Sequence, residues 1–150
     1  MVGAPERDQA MNDLQKQLIR HEGLRLKPYP CTSGKLTIGI GRNLEDVGIT
    51  EEEAMMMFRR DVTEATVSIM RDPLWTFSDH NAARQNVLIN MCFQMGKPRL
   101  DGFKKMRAAL GEGDYEEAAT EMLDSRWARQ TPERAEELAE IMRTGQHSEP

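Results

Sequence analysis

Apolar residues first recur at helical spacing at Leu14, Leu18 and Ile19, a face that follows Asp8 or Asn12 as candidate caps and runs up to Glu22 before Gly23 stops it. The period then changes. Arg25 to Tyr29, bounded by Pro28 and Pro30, and Lys35 to Ile40, with its β-branched residues, predict two extended segments joined by a Thr32-Ser33-Gly34 turn: a small hairpin sheet. Gly41 ends that pattern, and Asn43 to Gly48 is expected to be a short connection. Helical spacing returns at Thr50, where Thr50 and Glu53 form a capping box and Ile49 is placed to staple onto the first turn. Ala54, Met57, Phe58, Val62, Ala65, Ile69 and Met70 then keep the helical period until Asp72-Pro73 breaks it. About 20 residues in one helix make a rod of roughly 30 Å, long enough to connect two lobes.

Ser78 is the expected cap of the next helix, whose centre, Val87 to Phe93, is apolar nearly all round, as in a helix surrounded by others; Gly96 ends it. Gly102 to Leu110 predicts a helix closed by Gly111, Asp114 with Glu117 opens another through Leu123, and Thr131 with Pro132 caps and starts the last, which stops before Gly145. The polar tail from Gln146 to Pro150 is expected to be disordered. A chain of 150 residues is the size of one ordinary domain.

Composition adds boundaries. With 39% apolar, 30% charged and only 5% aromatic residues, the core has to rely on Leu, Ile, Ala and many Met, and no stretch is suited to span a membrane. The net charge of −5 gives little general attraction to anionic polymers, and acidity with few aromatics argues against nucleic acid as a partner. Lys97, Arg99, Lys104, Lys105 and Arg107 form a basic cluster interrupted by Asp101, for which a solvated surface is the ordinary explanation. Met1 to Ala10 carries Glu6, Arg7 and Asp8 without an apolar run, so neither a signal peptide nor an anchor is expected there and cytoplasmic accumulation is. Cys31 and Cys92, the second inside an apolar helix, are expected to be free thiols. No cluster has metal-ligand spacing, and no cofactor is expected.

Candidate chemistry gathers in one segment. Eight residues separate Glu22 from Cys31 and five separate Cys31 from Thr37, around turns containing Gly34, Gly39 and Gly41. Hydrolysing a glycosidic bond needs an acid to protonate the leaving oxygen and a second group on the other face of the sugar to supply or orient the attacking atom. Glu22 suits the first role if partial burial raises its pKa. A neutral thiol would serve poorly in the second, since free Cys has a pKa near ~8.5; Lys35 and Arg42 are near enough in sequence to shift it.

His21 to Arg42 resembles the catalytic segment of the phage lysozymes of the T-even type, glycoside hydrolase family 24. Leu88 to Met91 followed by Phe93-Gln94-Met95-Gly96 is similar to that family's central helix, and Ser125 to Ala135 to its second long motif, so the likeness runs from about Leu18 to Gly145 in family order. The resemblance implies a mainly α (α+β), two-lobed lysozyme-like fold in a single domain. A small N-terminal lobe of about residues 12–60 would carry the hairpin sheet, and the long helix would lead to a helical lobe of about 61–145. It implies a muramidase that cuts the β-1,4 bond between N-acetylmuramic acid and N-acetylglucosamine in peptidoglycan, as a monomer, reaching the wall from the host cytoplasm with the help of a holin. Glu22 would be the acid, and Arg134 would face it. Cys31 stands where the family commonly has Asp, as base, water-orienting group or nucleophile; Thr37 would position the water. Phe93, Gln94 and Asn43 would meet the sugars, and Arg42 and Asp61 would form a structural pair where the family has His and Asp. Arg42 would keep its charge at any physiological pH. Two alternatives are a lytic transglycosylase, which uses the muramoyl 6-hydroxyl in place of water, and a catalytically inactive wall-binding relative.

Overall fold

Asn12 caps the first helix, α1 (Asp13–Glu22), in the computed structural model, which describes residues 10–147. Its side chain accepts from the Gln15 amide while the Gln15 side chain accepts from the Asn12 amide, a reciprocal cap that satisfies two otherwise orphaned donors. Asp8, the other candidate cap, lies outside the described residues, as do Ser148 to Pro150 of the tail. Gly23 closes the helix at φ 76°, with its N–H on the Ile19 carbonyl. Leu14 and Leu18, the expected core face, are exposed, and α1 buries none of its residues.

Three antiparallel strands follow in the order β1 (Arg25–Pro30), β2 (Leu36–Gly39) and β3 (Arg42–Asn43). Pro28 and Pro30 are tolerated because β1 is an edge strand, and its register slips between Arg25 and Tyr29. β3 was not anticipated: Asn43 pairs with Thr37 and Arg42 with Ile38, so part of the expected connection is strand. Two residues are too few for alternation to register.

The long helix is α2 (Glu51–Met70), opened by the expected Thr50–Glu53 box, with Thr50 donating to Oε1 at 2.9 Å and Glu53 to Oγ1 at 3.1 Å. The chain divides into two compact units after Ala54, within the first turn or so of this helix. Of the apolar positions along α2 only Ala65 and Ile69 are buried, whereas Met57, Phe58 and Met70 are exposed.

The second unit continues with α3 (Ala82–Met95), α4 (Lys97–Leu100), α5 (Lys104–Gly111), α6 (Tyr115–Leu123), α7 (Arg126–Gln130) and α8 (Pro132–Thr144). Asn81, not Ser78, caps α3; residues 73–75 and 77–79 are single 3-10 turns, separated by Thr76 at φ 46°. Thr131 precedes α8 without capping it, because its hydroxyl donates back to the Trp127 carbonyl at 3.0 Å; Ser125 is the side chain that caps, at the start of the unforeseen α7. Helix α8 packs against α6, α3 and α7 over a core that includes Ile69, Trp75, Leu88, Met91, Leu100, Met106, Leu110, Met122 and Met142. Cys31 and Cys92 are both free thiols. Among the described residues no helix is long and apolar enough to cross a membrane.

Candidate active site

Glu22 is the last residue of α1, and its carboxylate lies against the β2–β3 turn. A Cβ built on Gly41 would stand 2.8 Å from Glu22 Oε2, and Gly41 itself has φ 72°. Both facts demand glycine: the backbone conformation disfavours an L side chain, and any side chain would displace the carboxylate. The approach of Gly41 thus fixes one wall of the place where the acid sits. In the sequence Gly41 marks only the end of an extended run.

Cys31 opens the turn between β1 and β2. Its N–H donates to the Lys35 carbonyl at 2.9 Å, and the Gly34 N–H donates to the Cys31 carbonyl at 2.8 Å, which locks the four residues into a tight loop. Inside that loop the Cys31 Sγ lies 3.1 Å from the Ser33 hydroxyl. The thiol is lowered from its ordinary value to about 7, chiefly by the Ser33 hydroxyl, then by the backbone of Ser33 and Lys35, with a smaller contribution from Thr37 and with burial opposing. Such a thiol gives up its proton more readily than an ordinary cysteine. The cations expected to do this are engaged elsewhere. Lys35 Nζ reaches Asp46 at 3.5 Å and Glu45 at 4.0 Å, and Arg42 Nη1 reaches Glu53 at 2.8 Å.

Thr37, at the centre of the sheet opposite Tyr29 and Asn43, is only 3% exposed. Its hydroxyl donates to the Lys35 carbonyl at 2.9 Å. With that proton committed, the hydroxyl oxygen is left to accept. Asn43 is half-buried and ties down the next turn, accepting from the Asp46 amide and donating to the Asp46 carboxylate, both at 3.0 Å. Glu22, Cys31, Thr37 and Asn43 therefore all belong to the first unit.

Arg42, also of that unit, takes Glu53, the residue of the capping box, as its acid partner; the pair holds the Glu53 carboxyl down to about 2. Asp61, the acid named for it from the sequence, is exposed on α2 and belongs to the second unit. Glu53 went unnoticed because its capping role already accounted for it.

The other candidates stand in the second unit. Arg134, in the first turn of α8, puts Nε and Nη2 on Asn90 Oδ1 at 2.9 and 2.6 Å. This fork leaves the Nη1 side of the guanidinium unused by Asn90, itself the lone amide in the apolar run of α3. Gln94 accepts from the Trp127 indole at 2.8 Å, which commits the oxygen end of its amide. Trp127 meets Phe103 edge to face, and Gln94, Phe103, Trp127, Arg99, Lys104 and Lys105 help line a groove of about 670 Å³. Phe93 is 42% exposed beside the buried Met91 and Cys92 and packs edge to face with Phe58, so it is not core. In the basic cluster, Lys97 is bound to Asp72 at 2.8 Å and Asp101 at 3.0 Å, and Asp101 also accepts from the Trp75 indole at 2.9 Å; that lysine is structural.

Along most of its length the chain is similar to known proteins. The model of the phage lysozyme family matches residues 19–143. Over 94% of its length the chain is 34% identical to the pre-baseplate central spike protein Gp5 of Enterobacteria phage T4, of which it spans 29%. It is 31% identical to the probable T4-type lysozyme 1 of Dictyostelium discoideum over 90% of the chain and 96% of that relative. It is also 31% identical to an endolysin of Acyrthosiphon pisum secondary endosymbiont phage 1, over 73% of each.

Proposed function

Because this chain belongs to the phage lysozyme family, we propose that it is a muramidase that hydrolyses the β-1,4 bond between N-acetylmuramic acid and N-acetylglucosamine in peptidoglycan. Glu22 protonates the leaving glycosidic oxygen. A water held between the Cys31 thiolate and the accepting Thr37 oxygen attacks the anomeric carbon from the opposite face, and its proton passes to the sulfur as the new C–O bond forms. The product sugar is released with inverted configuration. Glu22 then carries the negative charge and Cys31 the proton, and exchange with solvent restores both. By the family resemblance alone, Arg134 is the group given to support the charge on Glu22, and Phe93, Gln94 and Asn43 are those given to meet the sugars.

The observation that carries this reading is the constellation on the small sheet. Ser33 bonds the Cys31 sulfur, the thiol is lowered to about 7, and the Thr37 proton is committed to Lys35, so two acceptors suited to one water lie on the β1–β2 hairpin. A transglycosylase would have no use for such a pair, and a retired enzyme no reason to keep it. In its biological setting the protein lyses the host from within, released by a holin; the similarity to a central spike protein makes a place within such a spike the competing role.

Purified peptidoglycan provides the test. Wild-type protein should clear it and yield reducing muramic ends of inverted configuration, and Glu22→Gln should lose at least ~10²-fold in rate with an unchanged fold. A 1,6-anhydro product would establish the transglycosylase, and binding without clearing the inactive relative.

A further inference from the structure

An aspartate at the water-orienting position is ionised at neutral pH without help, with an ordinary pKa near ~3.9, but a cysteine is not. A chain that carries Cys31 there needs something else to keep the sulfur anionic, and the two nearby cations are spent on other partners. Lys35 is shared by Asp46 and Glu45, Arg42 is held by Glu53, and Arg25 of β1 stacks on the Tyr29 ring at 4.4 Å. Glu22, against Gly41 at the other end of β2, is an acid and supplies no positive charge to a thiolate.

We propose that Ser33 is a positioning residue for the hydrolysis, its hydroxyl donating to the Cys31 sulfur so that the sulfur stays aimed and anionic at the attacking water. The inference rests on the reading of Cys31 as the water-orienting group. Its geometric basis is the closed turn. With Cys31 N–H on Lys35 O and Gly34 N–H on Cys31 O, at 2.9 and 2.8 Å, the backbone holds Ser33 where its hydroxyl lies 3.1 Å from the sulfur. That is a short separation for a bond to sulfur, as expected when the acceptor carries charge. Gly34, at φ 82°, lets the chain double back directly after the serine. The lowered thiol, with the Ser33 hydroxyl as its largest cause, agrees with this geometry. Thr37 contributes less to the sulfur, since its proton is directed to the Lys35 carbonyl, which divides the labour: Ser33 holds the sulfur and Thr37 holds the water.

Two pH profiles on the full chain test the assignment. One is the rate at which iodoacetamide alkylates Cys31, read on the Cys31 peptide by mass spectrometry so that Cys92 does not interfere; the other is kcat/KM on peptidoglycan. In wild type the alkylation rate should rise with a midpoint near 7, whereas kcat/KM should be bell-shaped, since turnover also needs Glu22 protonated. Ser33→Ala should move the alkylation midpoint up by about one unit and lower kcat/KM roughly tenfold below neutrality, the loss of thiolate that such a shift brings, while Ser33→Thr restores both wild-type profiles. Ser33 is exposed in its turn, so both variants should melt as wild type does. An alkylation profile that Ser33→Ala leaves unmoved overturns the role of Ser33 while leaving Cys31 as the water-orienting group intact. An alkylation profile that moves while kcat/KM does not overturns both, because the thiolate would then be irrelevant to turnover.

Discussion

The two units are ordered by different forces. Among the described residues of the first unit only Thr37 is buried, and Leu14, Leu18, Leu24, Leu26, Leu36, Ile40, Val47 and Ile49 are all exposed. What shapes it is a set of local hydrogen bonds: the Asn12 box, the Cys31–Gly34 turn, the Leu36 amide on Glu45, the Asn43–Asp46 turn and the Arg42–Glu53 pair. The second unit is the reverse, a continuous apolar core with its polar groups pinned at the margins. Short-range polar bonds can aim a carboxylate, a thiol and a hydroxyl individually, but each contributes little net stability, on the order of 1 kcal/mol. Burial supplies far more and aims nothing. Stability and the proposed chemistry should therefore separate under mutation.

The largest effect should come from the core. Trp75 is fully buried with its indole on Asp101, so Trp75→Ala should cost about 3–5 kcal/mol by leaving a cavity and taking one donor from Asp101. Denaturant unfolding measures this, and protein that remains folded should keep its rate per molecule. A fall in rate without a fall in stability would undo the division of labour. The opposite signature belongs to Gly41→Ala. A Cβ 2.8 Å from Glu22 Oε2 must push the acid aside, and misplacing a catalytic group by an ångström costs roughly 10²-fold. Clearing rates should collapse with the melting temperature falling only by the modest strain of alanine at positive φ. Wild-type turnover would mean that Glu22 need not sit where Gly41 holds it.

The same contrast explains what was legible in the sequence. Elements bounded by caps and glycines came through: α1 from Asn12 to Gly23, α2 from its box to Asp72-Pro73, α3 to Gly96, α6 from Asp114. Cys31 and Thr37, on one short hairpin, and Glu22, at the end of α1 just before it, are legible as candidates because their spacing resembles the family's segment. What failed was set by distant contacts. Ser78 looked like a cap, yet residues 77–79 form a separate turn and His80 bonds Tyr115, 35 positions away; Asn81 then caps α3. Helix α7 has five residues, too few for a period to show. The apolar first half of α2 suggested burial, and its exposure could not be read from periodicity. Ser33, Glu53 and Asn90 were missed for one reason: each acts through a distance of about 3 Å to a particular atom, which composition and spacing do not encode.

A smaller effect belongs to His80, the one buried titratable ring in the second unit's core margin. Nδ1 lies 2.8 Å from the Tyr115 hydroxyl and Nε2 lies 2.9 Å from Thr76 Oγ1 and 3.3 Å from the Trp75 carbonyl, partners that suit a neutral ring protonated on Nε2. Burial holds the imidazole below its ordinary value, against the backbone bond to Trp75 and the charge of Asp79, while Arg84, stacked over Tyr115 at 3.5 Å, adds to the lowering. The folded state therefore resists a proton that the unfolded chain accepts. Stability should be full above the unfolded value near ~6.5 and decline as pH falls below it toward the folded one. Comparing urea midpoints at neutral and mildly acidic pH, wild type should lose more than His80→Gln; equal losses would show that the ring carries no such linkage.

The smallest expected effect concerns the first unit's ion pair, and it decides which acid Arg42 uses. Both side chains are more than a third exposed, and salt screens such pairs, so little stability is at stake. Its pH window is defined nonetheless. Glu53 is depressed to about 2, so the contribution is present above the ordinary carboxylate range and is lost as pH falls through that range toward the folded value. The other side chain that bonds Glu53 is Thr50, through the cap, which makes Glu53→Gln a clean probe because glutamine keeps an oxygen for the Thr50 amide but loses the charge. Glu53→Gln and Arg42→Gln should each lower the melting temperature slightly, and the double variant should lose no more than either alone. Asp61→Asn in the Arg42→Gln background should instead add its own small effect in full. Coupling of Arg42 to Asp61 with none to Glu53 would assign the guanidinium to the second unit and end the account of the first unit as a set of bonds closed on itself.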